Sequence, residues 1–165
     1  MSPIARALGT PLTGSVAALP DFAFRRVLLK GMIVGPPLLL GPAVQHGVPG
    51  SYIVQQFQRS DPGASSVLLN RGFITKTRED AIRAGTQVPM GVSGKEEIVE
   101  GMLTKKFDDG KGRWAHENEP ENNRWFWKDV PGMAAWLGGE EKGVQAVLVK
   151  AIDCEFRCGV ACGPR

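Results

Sequence analysis

Apolar residues in this chain come in short bursts separated by glycine, proline and amide-rich stretches, a rhythm of strands and turns rather than long helices. Phe22–Val34 (FAFRRVLLKGMIV) reads as a strand bent or bulged near Gly31. Residues 35–50 hold four prolines and four glycines and read as a loop or a set of turns. Ser51–Phe57 (SYIVQQF), the Asp61-Pro62-Gly63 turn signal and Ser65–Ile74 (SSVLLNRGFI) form a predicted hairpin, with a bulge or close backbone approach at Gly72. Thr77–Ala84 predicts a helical turn, capped by Thr77 with Asp80 in the capping-box position and stopped by Gly85. Glu97–Leu103 is the strand core of a mixed region, and residues 107–113 are a turn. Lys128–Leu137 predicts a short helix with Asp129 as N-cap and Pro131 in its first turn. Val144–Ile152 (VQAVLVKAI) is the clearest strand. The expected fold is mainly β, a β-rich α+β chain: an antiparallel barrel- or sandwich-like sheet of about five strands with one or two short helices.

Composition fits that picture. The chain has 165 residues, 42% apolar and 22% charged, enough for one domain with a real core. Glycine and proline, 21 and 12 residues, punctuate it throughout. Residues 1–20, with Pro3, Pro11 and Pro20, read as a flexible arm or linker, residues 21–152 as the β-rich domain, and residues 153–165 as an atypical tail. The net charge of +3 is local to the first fifty residues, and the remainder carries sixteen charges of each sign. That distribution does not make a nucleic-acid footprint. No stretch reaches the roughly 18–20 apolar residues of a membrane span.

The tail holds three cysteines, Cys154, Cys158 and Cys162. Their four-residue spacing lacks the close pairs of a zinc site. Two histidines, His46 and His116, stand seventy residues apart. No nucleophile elbow, phosphate loop, HExxH or dinucleotide-binding glycine pattern is present. The alternative chemistry left open is a small metal-binding protein or hydrolase that uses His116 and the C-terminal cysteines.

The densest stretch is Trp114–Ala134. Three of the four tryptophans fall in it, and Trp136 follows. An acidic, amide-rich run from Glu117 to Asn123 leads into Trp125-Phe126-Trp127. Large rings beside polar residues predict an ordered loop pinned to a core. If the triplet is extended, Trp125 and Trp127 face one way and Phe126 the other. The rings could instead stack single-stranded bases, but the acidic flank would repel phosphates.

Three blocks resemble a known family. Phe24-Arg25-Arg26-Val27 with Gly31 is similar to an aromatic-Arg-x-Val strand leading to glycine. Leu68-Leu69-Asn70-Arg71-Gly72-Phe73-Ile74 is similar to an apolar–Asn-Arg-Gly–aromatic strand. Glu117, Asn118, Pro120, Asn123, Trp125, Asp129, Met133 and Ala134 fall in one register with the third block. Over residues 20–152 the chain resembles the soluble domain of the Surfeit-locus protein family, the cytochrome c oxidase assembly factors of the mitochondrial inner membrane and of related bacteria. In that family two membrane helices bracket the domain, and this chain reads as a truncated member without them.

The resemblance implies a non-enzymatic, chaperone-like factor in maturation of the haem-bearing catalytic subunit. Its domain would face the intermembrane space, and its partners would be cytochrome c oxidase subunits or assembly intermediates, not nucleic acid. Haem a is a cofactor by resemblance only, with no ligand assigned here. The family-motif residues are Arg25, Gly31, Asn70, Arg71, Gly72, Asn118, Pro120, Asn123, Trp125, Asp129 and Met133, structural or partner-facing. Two readings of Arg71 stand. It pairs with Asp129 or with an acid of 117–121 and locks the loop to the sheet, or it presents a patch to a partner together with Trp125.

Overall fold

The computed structural model describes residues 10–11, 25–86, 95–104 and 114–152. Five long strands carry the fold: β2 (Arg26–Gln45), β3 (Val48–Arg59), β4 (Ser66–Thr75), β5 (Glu97–Leu103) and β6 (Val144–Ala151). A two-residue strand β1 (Thr10–Pro11) runs parallel to Val27–Leu28 of β2. Two short helices complete the set, α1 (Lys76–Arg83) and α2 (Val130–Trp136). The chain is mainly β as expected, in a sheet that is mixed and not wholly antiparallel; its strand order β2-β3-β4-β6-β5 carries a further pairing of β5 with β2. The neighbours are antiparallel except β4 and β6, which run parallel. Parallel neighbours need a crossover, and the chain from α1 through α2 supplies it. The cysteine-containing tail and the turn expected at 107–113 lie outside the described residues.

Alternation along the strands sorts the core. Val27, Leu29, Ile33, Phe57, Val67, Leu69, Val147 and Val149 form one cluster. The intervening Val54, Leu68, Val144 and Leu148 turn to the opposite face and form another with residues of α2. β4 is therefore buried on both faces, which is why its VLL run does not alternate with polar residues. Leu39, Ile53 and Ile74 make a third cluster, against which Ile82 of α1 packs.

The proline-rich stretch predicted as a loop is instead the second half of β2. Gly35-Pro36-Pro37 and Gly41-Pro42 fall at two register shifts against β3, where the ladder needs no donor. Gly41-Pro42 is a cis peptide. His46 and Gly47, with φ of 51° and 78°, then turn the chain directly into β3. Gly31 is where β2 changes partners, pairing with Glu97 of β5 and with Arg59 of β3. A Cβ there would lie 2.0 Å from the Gln58 carbonyl oxygen, so only glycine allows the strands this close.

The predicted cap of α1 is also corrected. The N-cap is Thr75, two residues before Thr77, and it makes no side-chain capping bond. Asp80 is drawn instead to Lys76 at 3.0 Å. Gly85, with φ of 71°, does follow the end of the helix. One further feature fixes where the chain meets its flanking segments: Arg26 pairs with Met102, and Ala151 pairs with the adjacent Gly101.

Candidate functional site

The segment from Asn118 to Met133 is seated on the kinked half of β2 by asparagines. Asn123 adopts a left-handed conformation, φ 52° and ψ 44°, which asparagine tolerates better than most residues. Its side chain then acts as a piece of strand: Oδ1 accepts from the Leu39 amide at 3.0 Å, and Nδ2 donates to the Pro37 carbonyl at 2.8 Å. Pro120 opens the 3-10 turn Pro120–Asn122 that leads there, and Glu119 and Arg124 pair across its base. Trp125 continues the match in parallel with β2. Its amide donates to Leu39 O at 3.1 Å, and its carbonyl accepts from the Gly41 amide at 2.8 Å. Asn118 holds the next two residues, its Oδ1 accepting from the amides of Phe126 at 2.7 Å and Trp127 at 3.2 Å.

These bonds place the Trp125 ring in the core. It is 1% exposed and packs in the cluster of Leu38, Val54, Leu68, Val130, Met133 and Leu148. Its Nε1–H is buried without an acceptor, so its seat depends on apolar contact. Phe126 and Trp127 are only half-buried, and the amides of both point to Asn118, so the triplet is a bend and not the extended segment that simple alternation assumed. Asp129 caps α2 as expected, its Oδ1 accepting from the Gly132 amide at 3.0 Å. Met133 of that helix is fully buried in the same cluster.

Asn70, Arg71 and Gly72 form the predicted bulge of β4. Asn70 faces Val54 and Gly72 faces Ile53, which leaves Arg71 as the extra residue. Asn70 Oδ1 accepts from the Gly72 amide, and Gly72 takes φ of 116°. Of the two expected acidic partners of Arg71, Asp129 or an acid of 117–121, Asp129 instead uses Oδ1 at the helix cap. Arg71, 3% exposed, donates from Nη1 to Gln55 Oε1 at 2.6 Å. Gln55 in turn donates to the Gly35 carbonyl at 3.2 Å. Arg71 and Asn123 thus grip the same kink of β2 from two sides, at Gly35 and at Pro37. Arg71 and Trp125 are both buried.

A second network was not foreseen. Ser51 Oγ donates to Glu79 Oε2 at 2.7 Å, and Arg83 Nε donates to Glu79 Oε1 at 3.0 Å. The remaining nitrogens of Arg83 donate to the carbonyls of Asn122 and Asn123, each at 3.0 Å. Helix α1 therefore clasps the loop to β3. The sequence signals were the i,i+4 spacing of Glu79 and Arg83 and, for the Arg71 network, a glutamine in the otherwise apolar SYIVQQF.

Burial pushes the Glu79 carboxyl up. Hydrogen bonds from Ser51 and Arg83 and the charges of Lys76 and Arg83 outweigh it and hold the group below its ordinary 4.5. The stability it adds is full above that value and is lost as pH falls through the folded-state pKa, because the unfolded chain takes up the proton first. Glu79→Gln should lower stability by about 2 kcal/mol at neutral pH. It should also flatten the acid limb of a melting-temperature profile below about pH 4.5. A variant whose acid limb parallels the wild type would show that Glu79 does not carry this dependence.

Beside the loop lies an open cleft of about 440 Å³ bordered by Glu117, Asn118, Trp125, Trp127, Asp129 and Trp136. Its charged lining residues, Glu117 and Asp129, are both acidic, and among the described residues no histidine or serine borders it. His116 is exposed, with its ring 5.4 Å from that of Phe126. Among the described residues no group of three or more His, Cys, Asp or Glu side chains could hold a metal, and the three cysteines lie outside them. Arg25 and Gly31 sit away from this region, at the other end of β2: the Arg25 carbonyl accepts from the Leu103 amide. Among the described residues no helix is long and apolar enough to cross a membrane.

Known proteins of similar sequence share one family description. Surfeit locus protein 1 of Homo sapiens is 28% identical over 115 residues, which cover 70% of this chain and 33% of that protein. A SURF1-like protein of Dictyostelium discoideum is 27% identical over 150 residues, 76% of this chain and 53% of its own length. Surfeit locus protein 1 of Xenopus tropicalis is 25% identical over 146 residues, covering 79% and 45%. The chain thus spans about a third to a half of the length of these relatives. The family model described as SURF1 family matches residues 2–157, nearly the whole sequence, and the chain belongs to that family.

Proposed function

We propose that residues 21–152 are the β-rich domain of a non-enzymatic assembly factor for cytochrome c oxidase. It acts in maturation of the haem-bearing catalytic subunit, at the mitochondrial inner membrane, with the domain facing the intermembrane space. The observation that carries this reading is the family match along residues 2–157. The geometry supports it, because the polar motif residues Asn118, Asn123 and Asp129 are engaged in holding backbone and not in presenting a reactive group. The partners are subunits or assembly intermediates of the oxidase.

The described residues do not fit haem a. Haem iron takes a ligand such as histidine, yet His46 stands in the β2–β3 turn and His116 lies exposed against Phe126. The cleft itself is acid-lined, which opposes haem propionates. Deleting the gene in its host tests the proposal. Blue-native gels and reduced-minus-oxidised spectra should show loss of assembled oxidase with the other respiratory complexes intact, restored by the wild-type gene. Normal oxidase in the deletion strain would refute it.

A further inference from the structure

The tip of the β2–β3 hairpin stands clear of the rest of the sheet. The ladder of β3 with β4 ends where Gly50 meets Thr75, and the Trp125 segment reaches along β2 only to Gly41. Among the described residues, 42–49 pair only within the hairpin itself. The register sets Val44 beside Pro49 and Gln45 beside Val48, with His46-Gly47 as the two-residue turn. Successive pairs point to opposite faces, so Val44 and Pro49 lie on one side of the ribbon and Val48 on the other. Val44 is 70% exposed and Val48 43%, and Pro42, His46 and Pro49 are exposed as well. From Gly31 to Gln58 the sequence holds no Asp, Glu, Lys or Arg.

Two features of this projection run against stability. A two-stranded ribbon alone is marginal in water, and apolar side chains left open on both its faces gain nothing there. His46 takes φ of 51° and Gly47 φ of 78°, the pattern of a turn that asparagine-glycine fills best. An imidazole is therefore held at the apex at a cost to the turn. A narrow, uncharged ribbon that is apolar on both sides matches a groove whose apolar walls hold it from both faces. It does not match a bilayer, because the tip has none of the Trp, Tyr, Lys or Arg residues that anchor segments among headgroups. Nor does it match a stable pair of copies, since so few side chains fall short of the roughly 800 Å² per partner of a standard interface.

We infer that the β2–β3 tip is a docking knob that inserts Val44, Val48 and Pro49 into an uncharged, apolar groove of a partner polypeptide, with the His46 imidazole hydrogen-bonded at its floor. The small contact suits an engagement that must later be released. This deepens the assembly reading and rests on it for the identity of the partner, an oxidase subunit or intermediate.

The test places the photo-cross-linker benzoylphenylalanine at Val44, Val48 or Ile98 of the full chain, expressed in the deletion strain. Ile98 is 58% exposed and sits opposite Lys30, so it is an open apolar position away from the tip. Irradiation should join positions 44 and 48, and not 98, to an oxidase subunit identified by mass spectrometry. His46→Asn should cut the yield at position 48 by about threefold or more. The same variant should raise the melting temperature of the purified chain by about 1–3 °C, because asparagine suits the turn better. A merely structural role for the turn would leave the better-folded variant cross-linking at least as well.

The inference would be overturned by an absence of cross-links at both tip positions, or by a yield at 98 equal to that at 44. A phospholipid adduct or a cross-linked pair of copies would replace the groove with a bilayer or a second copy, and a His46→Asn variant that cross-links like the wild type would also sink it. The two proposals fail separately. Absent tip cross-links in a host whose deletion strain lacks oxidase would remove only the knob. A tip-specific cross-link to one polypeptide outside the oxidase, alongside normal oxidase in the deletion strain, would remove only the assembly role.

Discussion

Replacing Trp125 with alanine should destabilise the protein by about 3–5 kcal/mol, the range for truncating a buried aromatic side chain. Trp125 is the largest fully buried side chain, and it joins α2, the loop and the outer face of the sheet in one cluster. Its loss opens a cavity between elements far apart in sequence, which rigid strands can close only in part. The backbone bonds to Leu39 and Gly41 would persist, but they tie down a segment with no ring to anchor it. Trp125→Phe should cost less, because it keeps most of the apolar contact and removes an indole N–H that has no acceptor. Trp114→Ala, at an exposed site, should change stability by no more than about 0.5 kcal/mol. Urea unfolding followed by circular dichroism measures all three. A Trp125→Ala midpoint close to that of Trp114→Ala would show that the ring does not hold the loop.

Arg71→Ala should cost about 3 kcal/mol, from a lost charge-assisted bond and a Gln55 oxygen left buried. Gln55 is fully buried, so water cannot readily replace the guanidinium. The damage should reach the Gly35–Pro37 kink that Gln55 steadies, and through it the seat of Asn123. Arg71→Lys should recover little, because an ammonium cannot reproduce the planar fork. An unchanged melting temperature for Arg71→Ala would exclude the structural role and return the residue to a partner-facing one.

Much of this architecture was legible in the residues because the signals were local. The hairpin through Asp61-Pro62-Gly63, the bulge at Asn70-Arg71-Gly72 and the Asp129 cap each depend on a few neighbouring residues. What was misread depends on distant partners. Prolines between glycines ordinarily mean a loop, yet residues 38–45 pair with β3, and Asn123 and Trp125, more than eighty residues away, take up further backbone bonds at Pro37, Leu39 and Gly41. Arg71 was matched with acids on grounds of charge, and its bond to a neutral amide on the adjacent strand had no such signal. Thr77 resembled a cap because threonine three residues before an acid is a general pattern, whereas Asp80 is drawn back to Lys76. The parallel contact of β4 with β6 had no local signal, since strand direction emerges only after the crossover is placed.

The neighbouring positions of Arg26 and Ala151 on β5 carry a mechanical consequence. β2 and β6 both run antiparallel to β5, so the chain enters β2 and leaves β6 in one direction along the sheet. A pull applied at Arg26 and Ala151 in opposite senses would load β5 between them in shear. The hydrogen bonds of both its ladders would then resist together instead of opening one at a time.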